Sequence, residues 1–199
     1  MLNSFANSLS QIAVHLRSQY LKFSYALKCE GIDFHKSVRL SDKTRIRCTD
    51  GGTIKFSEGT HVDFGAFIVA RTGQVLIGKN SYIGVCSVIT ALDSVTIGDN
   101  ALIAEHVTIR DQDHNIHSGG LINQAGMTSS PIVIGENVWI GAKSTITQGV
   151  TIGSNSVIGA NSVVTRDIPE NVIAVGAPCR VLRPRDPIPR NPIETVTKD

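Results

Sequence analysis

An isoleucine or valine returns every six residues along most of this chain. That spacing matches neither the period of an α-helix nor the simple alternation of a strand. It is typical of a solenoid in which each hexad forms one short strand and one corner, so that three hexads complete a triangular coil. The rhythm stops over residues 110–133, where we expect a loop to leave the coil. The hexad positions are Ile77, Ile83, Ile89, Ile97, Ile103, Ile109, Ile134, Ile140, Ile146, Ile152, Ile158 and Val164.

The chemistry of the hexad supports this interpretation. We expect each isoleucine to point into the core, and the small or β-branched residue four positions later to point inward as well. Glycine and asparagine tolerate the left-handed backbone conformation that tight corners require, so we expect both to adopt it. The tetrapeptide Ile-Gly-x-Asn occurs at 77–80, 97–100, 134–137, 152–155 and 158–161.

The N-terminal segment, residues 2–27, is predicted to be an amphipathic helix, because large apolar residues recur at spacings of three and four. In one interpretation the apolar face packs against its own domain or a partner subunit. In the other it makes a peripheral contact with a membrane, which Arg17, Lys22 and Lys28 favour. The apolar positions are Leu2, Phe5, Leu9, Ile12, Leu16, Tyr20, Phe23 and Leu27.

The chain therefore divides into three parts: a helix within residues 1–30, a solenoid over 31–183 and a Pro-rich tail over 184–199. The irregular stretch from Val38 to Leu76 is interpreted as early coils of the solenoid. Prolines after Val164 are expected to end regular strand pairing.

Bulk composition excludes several classes of function. The net charge of +2 is too small to indicate a nucleic-acid partner. No apolar run is long enough for a membrane-spanning helix, and no secretory signal is recognisable. The four cysteines are scattered without metal-binding or disulfide spacing, which favours a reducing cytoplasm.

Several motifs extend well beyond the repeat: Val107-Thr-Ile-Arg-Asp-Gln-Asp-His114, Pro131-Ile-Val-Ile-Gly-Glu-Asn-Val-Trp139-Ile-Gly141, Asp167-Ile-Pro-Glu-Asn and Val175-Gly-Ala-Pro-Cys-Arg180-Val. Through them the chain resembles the hexapeptide-repeat acyltransferases, in the branch of maltose/galactoside and polysaccharide O-acetyltransferases. The resemblance implies an all-β fold, a left-handed parallel β-helix with a protruding loop. It also implies a homotrimer with sites between subunits, and acetyl-CoA as co-substrate without a metal.

Through the same resemblance, His114 is expected to be the catalytic histidine, because its position looks like that of the family's catalytic histidine. Its imidazole can take the proton of an attacking hydroxyl, because its ordinary pKa lies near working pH. His117 is the rival for this role, and another branch of the family would place its histidine at Asn115. Asp111 and Asp113 either orient the imidazole and contact the acceptor or simply solvate the loop.

The resemblance assigns the remaining site residues to cofactor and acceptor. Trp139 is expected to form a wall of the pantetheine or acceptor pocket, and an amide near Gly141 and Ala142 is expected to stabilise the oxyanion. Arg180 and Arg183 are expected to meet phosphates of the cofactor. Further cofactor contacts are expected at Ala160, Thr165 and Arg166.

The acceptor is the least determined feature. Galactoside-type relatives carry a sugar-binding asparagine where this chain has Val85-Cys86-Ser87, so a simple galactoside is disfavoured and Cys86 is the nearest equivalent. The resemblance favours a hydroxyl of an envelope polysaccharide such as O-antigen or capsule. The alternatives are N-acetylation of an amino sugar, acetylation of a small molecule such as an antibiotic, a carbonic-anhydrase-like metal site, and a scaffold without catalysis.

Overall fold

Three parallel sheets, one on each side of a triangular coil, form the body of the chain. The structure is a computed structural model that describes residues 2–117 and 119–185, with side chains described from residue 12 onward. A helix, α1 (Leu2–Lys28), precedes the sheets. The described residues complete six coils, and the three sides are called A, B and C in the order in which the chain meets them.

Each coil contributes one strand to each side. Side A consists of β1 (Ile32–Phe34), β4 (Thr53–Phe56), β7 (Gln74–Ile77), β10 (Ser94–Ile97), β15 (Ile132–Ile134) and β18 (Thr151–Ile152). Side B begins with β2 (Arg39–Leu40), β5 (His61–Val62), β8 (Tyr82–Ile83), β11 (Leu102–Ile103), β16 (Trp139–Ile140) and β19 (Val157–Ile158). Side C consists of β3 (Arg45–Cys48), β6 (Phe67–Ala70), β9 (Val88–Ala91), β12 (Thr108–Arg110), β17 (Thr145–Ile146) and β20 (Val163–Val164).

The hexad isoleucines form the core, as the sequence predicts. Every hexad position named above is 0–1% exposed. The second inward position is also confirmed: Ser81, for example, is buried, and its hydroxyl donates to the Gly98 carbonyl and accepts from the Ala101 amide. Such serines join successive coils by hydrogen bonds inside an otherwise apolar interior.

The prediction for the corners is confirmed for asparagine and wrong for glycine. Asn80, Asn100, Asn137, Asn155 and Asn161 have φ values between 53° and 61°. The glycines of the same tetrapeptides do not have positive φ. They are required because the next coil passes directly over them: a Cβ on Gly98 would lie 2.7 Å from the Gly135 carbonyl carbon.

The break in the rhythm is a hairpin between the fourth and fifth coils. It consists of β13 (Gln112–His114) and β14 (Met127–Ser129), which pair antiparallel, with a 3-10 helix at Ile122–Gln124 in the connection. The hairpin leaves side C after β12 and returns to side A before β15, so it projects from the C–A corner.

Strand pairing continues past the prolines, contrary to the sequence-based expectation. Strand β21 (Val172–Val175) extends side B parallel to β19, and β22 (Arg180–Pro184) pairs antiparallel with β21. The Arg185 amide also donates to the Asn171 carbonyl. Residues 186–199 of the predicted tail lie outside the described residues.

Helix α1 lies against the first coil through a mixed face, on which Leu21 and Tyr25 pack against the core beside Ser18 and Lys22. Ser18 and Lys22 are buried: the Ser18 hydroxyl accepts from the Leu40 amide, and the Lys22 ammonium donates to the Lys36 carbonyl. Tyr25 donates to the Thr44 carbonyl, and Arg17 pairs with Asp42. The described part of the apolar face is exposed by 53–71%, so packing of that face against its own domain is wrong. The exposed positions are Ile12, Leu16, Tyr20, Phe23 and Leu27.

Candidate active site

The base of the hairpin is fixed by two buried polar residues. Asp111 is fully buried, and its carboxylate accepts hydrogen bonds of 2.8 Å from the amides of both Leu92 and Asp93. Burial raises the pKa of Asp111 above its ordinary value, although these amides act in the opposite direction. Asp111 therefore holds the turn before β10, and the predicted contact with the acceptor is wrong because both oxygens are occupied and buried.

Strand alternation then sets the direction of each hairpin side chain. Gln112 is 4% exposed, and its Nε2 donates to Thr90 Oγ1 on the third coil. Asp113 points the opposite way, where its Oδ2 accepts from Gln148 Nε2 at 3.2 Å on the fifth coil. His114 is exposed and shares the face of Gln112, because alternate residues of a strand point to the same side.

His117 lies beyond the strand, in the connection of the hairpin. Its side chain is exposed, and its amide donates to the Asn115 side chain at 2.9 Å. Asn115 is itself fastened by a backbone hydrogen bond to Gly126. Both histidines are therefore accessible, but only His114 belongs to the regular part of the hairpin.

A second group of predicted site residues lies on side B. Trp139 is 52% exposed and faces outward from β16. It is in register with Val157, then Ile173, then Arg183 on successive strands. At the usual strand spacing the backbone positions of this row span about 14 Å from Trp139 to Arg183. Arg180 is on the same β22 strand, where its side chain donates to the Cys179 carbonyl.

The corner between sides B and C carries the small predicted residues. The Gly141 amide donates to the Ile158 carbonyl at 2.7 Å, so it is not available to an oxyanion, and that half of the prediction is wrong. The Ala142 amide donates to none of the described residues, and Ala142 is half-buried. Ala160 stacks beside it on the sixth coil, and Cys86 occupies the same corner on the third coil with φ of 55°.

Thr165 and Arg166 lie at the corner between sides C and A, directly after β20. Both are exposed, and they follow side C two coils beyond the hairpin. The predicted site residues of one chain thus form two separate groups. Asp113, His114, His117, Thr165 and Arg166 lie at the C–A corner, whereas Cys86, Trp139, Gly141, Ala142, Ala160, Arg180 and Arg183 lie on side B or at the B–C corner.

Sequence reasoning missed Gln112 and Gln148. The signal for Gln112 was its position two residues before His114 in a strand, which places both on one face. Gln148 lies 35 residues from its partner Asp113, and no local pattern connects them. Among the described residues no group of three or more histidines, cysteines or acidic residues converges in a way that suits a metal ion.

Comparison with known proteins assigns this solenoid to a class. The hexapeptide repeat of succinyl-transferase matches residues 74–109 and 131–166. Escherichia coli K12 has a relative named as a lipopolysaccharide biosynthesis O-acetyl transferase, WbbJ, which is 35% identical over 75% of this chain and 81% of its own length. A maltose O-acetyltransferase structure from Clostridium difficile 630 is 35% identical, with a TM-score of 0.52, over 75% of this chain and 67% of that one.

The galactoside O-acetyltransferase of Escherichia coli K12 is 53% identical over 55% of this chain. The match spans 54% of that relative, about half its length. The fold and the matched repeats define a left-handed β-helix built from hexapeptides. The chain belongs to the hexapeptide-repeat acyltransferase family, in the branch that contains the galactoside, maltose and polysaccharide O-acetyltransferases.

Proposed function

We propose that this protein transfers an acetyl group from acetyl-CoA to a sugar hydroxyl, with His114 as the general base. The observation that carries the proposal is the placement of His114: an exposed imidazole on a hairpin whose base is held by the buried Asp111 and Gln112. A base on a rigid support keeps its geometry toward a bound substrate. The names of the relatives, galactoside and maltose O-acetyltransferases, support an oxygen acceptor.

The proposed reaction is a direct displacement. The acceptor hydroxyl attacks the thioester carbonyl while His114 takes its proton, so that a C–O bond forms and the C–S bond breaks. The imidazolium then returns the proton to the departing thiolate of coenzyme A. The unoccupied amide of Ala142 is the proposed donor to the carbonyl oxygen as it becomes negative.

The outer face of side B is the proposed site for the cofactor. Its apolar row of Trp139, Val157 and Ile173 suits the pantetheine arm, and Arg180 and Arg183 at its end suit the phosphates. Ala142 and Ala160 leave room at the neighbouring corner. Thr165 and Arg166 are proposed to contact cofactor held by a neighbouring subunit, because they lie on the other corner of their own chain.

A homotrimer with its sites between subunits is the proposed assembly. His114 and Trp139 of one chain lie on different sides of the coil, so one active site requires a hairpin from one subunit and side B from another. Closed cyclic assemblies bring unlike surfaces of identical chains together in this way. The resemblance to trimeric family members supports three copies.

We further propose that α1 holds the enzyme against an anionic membrane surface facing the cytoplasm. The structure contains no described helix long and apolar enough to cross a bilayer. The exposed apolar row of α1 is accompanied by the exposed Lys28, and residues 1–28 contain no acidic residue, whereas Lys22 is buried and Arg17 pairs with Asp42. Apolar residues beside cations suit a surface of anionic lipid, where envelope polysaccharides and their lipid-linked precursors are assembled.

The deciding experiment is acetyl-CoA turnover against matched hydroxyl and amine acceptors. We expect thiol release with sugars that offer only hydroxyl groups, and acetyl esters in the products by mass spectrometry. A consistent preference for amino sugars would replace the proposal with N-acetylation. Loss of an acetyl group from envelope glycans of cells that lack the protein would identify the polymer and the position.

A further inference from the structure

An open cavity of about 520 Å³ lies on the outer face of side C, next to the base of the hairpin. Three arginines line it, Arg47, Arg71 and Arg110, against a single carboxylate, Asp50. None of the three guanidinium groups has a hydrogen bond or an ion pair with any described residue. The cavity therefore presents an excess of positive charge that the described chain does not neutralise.

Gln112 forms the wall of this cavity on the hairpin side. Its side chain is 4% exposed and its Nε2 is used by Thr90, but its Oε1 accepts no hydrogen bond from the described residues. This oxygen is itself buried, so a molecule in the cavity would meet the arginines, which suit an anion.

The cavity is on the face of the hairpin that carries the proposed base. His114 follows Gln112 by two residues in β13, so both side chains point toward the early coils. Asp113 points the other way, toward Gln148 and the later coils. A molecule bound in the cavity would therefore approach His114 from the N-terminal side, opposite to the end that carries Arg180 and Arg183.

We propose that this cavity is a subsite for the acceptor and that it binds the carboxylate of an acidic sugar through Arg47, Arg71 and Arg110. The proposal rests on the proposed acetyl transfer and narrows its substrate class to acidic polysaccharides. A carboxylate matches the planar fork of arginine, and several arginines around one cavity select a repeating acidic chain over a neutral one.

The test uses a hexasaccharide of alternating glucuronic acid and N-acetylglucosamine, and the same hexasaccharide with its carboxyl groups converted to methyl esters. Binding of each is measured by calorimetry for the full chain, for the double variant Arg47→Gln/Arg71→Gln, and for Lys55→Gln. Lys55 is an exposed cation on side A and serves as the matched control. Unfolding temperatures of all variants are compared.

We expect the acidic form to bind at least about tenfold more tightly than the ester, and the double variant to lose that preference while Lys55→Gln keeps it. Absent or equal binding of the two forms, or an equal loss in Lys55→Gln, would overturn the proposal. So would a double variant that raises the KM for acetyl-CoA instead, because the cavity would then serve the cofactor. Displacement of the hexasaccharide by equimolar inorganic phosphate would assign the cavity to phosphate and overturn the carboxylate assignment.

The acetyl-transfer function is scored separately in the same samples by thiol release. Selective binding of the acidic form by the wild type without release would overturn the proposed function and leave the acidic-glycan subsite supported. Release with neutral sugars alone would keep the function and overturn the subsite.

Discussion

His114 and Trp139 lie on opposite parts of the triangular coil: the hairpin that carries His114 projects from the C–A corner, and Trp139 faces outward from side B. In a triangle the corner between two sides is opposite to the third side. A substrate cannot reach both residues on one chain without passing around the solenoid. The two residues therefore belong to one site only where two chains meet.

Mixed assemblies test this relationship directly. His114→Ala and Trp139→Ala are each expected to be inactive or nearly so. If chains of both kinds are denatured, mixed in equal amounts and refolded, about one quarter of the interfaces should combine an intact His114 with an intact Trp139, because partners are drawn at random. Activity, measured by thiol release, should return to about one quarter of the wild-type value. Mixtures that stay as inactive as the separate variants would place the complete site within one chain.

Replacement of the proposed base should affect chemistry and not folding. His114 is exposed, so His114→Ala removes no core contact and should leave the unfolding temperature unchanged. Turnover should fall by about 10²-fold or more, the usual contribution of a general base. His117→Ala is the matched control, since it removes a second exposed histidine of the same hairpin. Near-normal turnover in His114→Ala with loss in His117→Ala would transfer the role to His117.

The hexad rhythm was sufficient to predict the coils, the core and the place where a loop interrupts them, because each inward residue is selected by burial that repeats locally along the chain. That the loop is a paired hairpin was not predicted. It was insufficient wherever the relevant neighbour is distant. The need for Gly98 arises from Gly135, one coil away, and the buried face of α1 is set by Leu40 and Lys36. The sequence likewise could not show that Asp111 points inward to the turn at Leu92.

Glycine substitutions can separate the two explanations of the Ile-Gly-x-Asn hexad. In Gly98→Ala the new Cβ would lie 2.7 Å from one backbone atom and 2.8 Å from another in the next coil, which forces the coils apart. We expect a loss of about 1–3 kcal/mol in the free energy of unfolding, measured in urea. Gly120→Ala is the control, because a Cβ there meets nothing within 4 Å. Equal effects of the two substitutions would mean that the conformational freedom of glycine, and not the close approach of the next coil, explains the repeated glycine of the hexad.

The exposed face of α1 leads to a prediction about lipid. The full chain should sediment with vesicles that contain phosphatidylserine and less with vesicles of phosphatidylcholine alone, because the exposed Lys28, with no acidic residue in residues 1–28 to offset it, adds attraction to the apolar contact. Leu16→Glu/Phe23→Glu should abolish sedimentation. Leu121→Glu, an equally exposed leucine in the hairpin, should retain it. If the α1 variant instead dissociates the oligomer in sedimentation velocity, the face belongs to a partner subunit.

Asp111 predicts how stability depends on pH. Burial raises its pKa in the folded protein above the unfolded value of about 4, so the folded state holds this proton more tightly. Its contribution to stability is fully present below that unfolded pKa and is lost as pH rises through the raised folded pKa.

Asp111→Asn has no such titration, although it weakens one hydrogen bond to the Leu92–Asp93 turn. The wild type should therefore exceed the variant most at acidic pH, and their difference in unfolding free energy should shrink toward neutrality. Urea titrations of both proteins between mildly acidic and neutral pH measure this difference. The other carboxylates titrate in both proteins, so their effects cancel in the difference. A difference that grows with pH would mean that the turn amides outweigh burial and lower the pKa of Asp111.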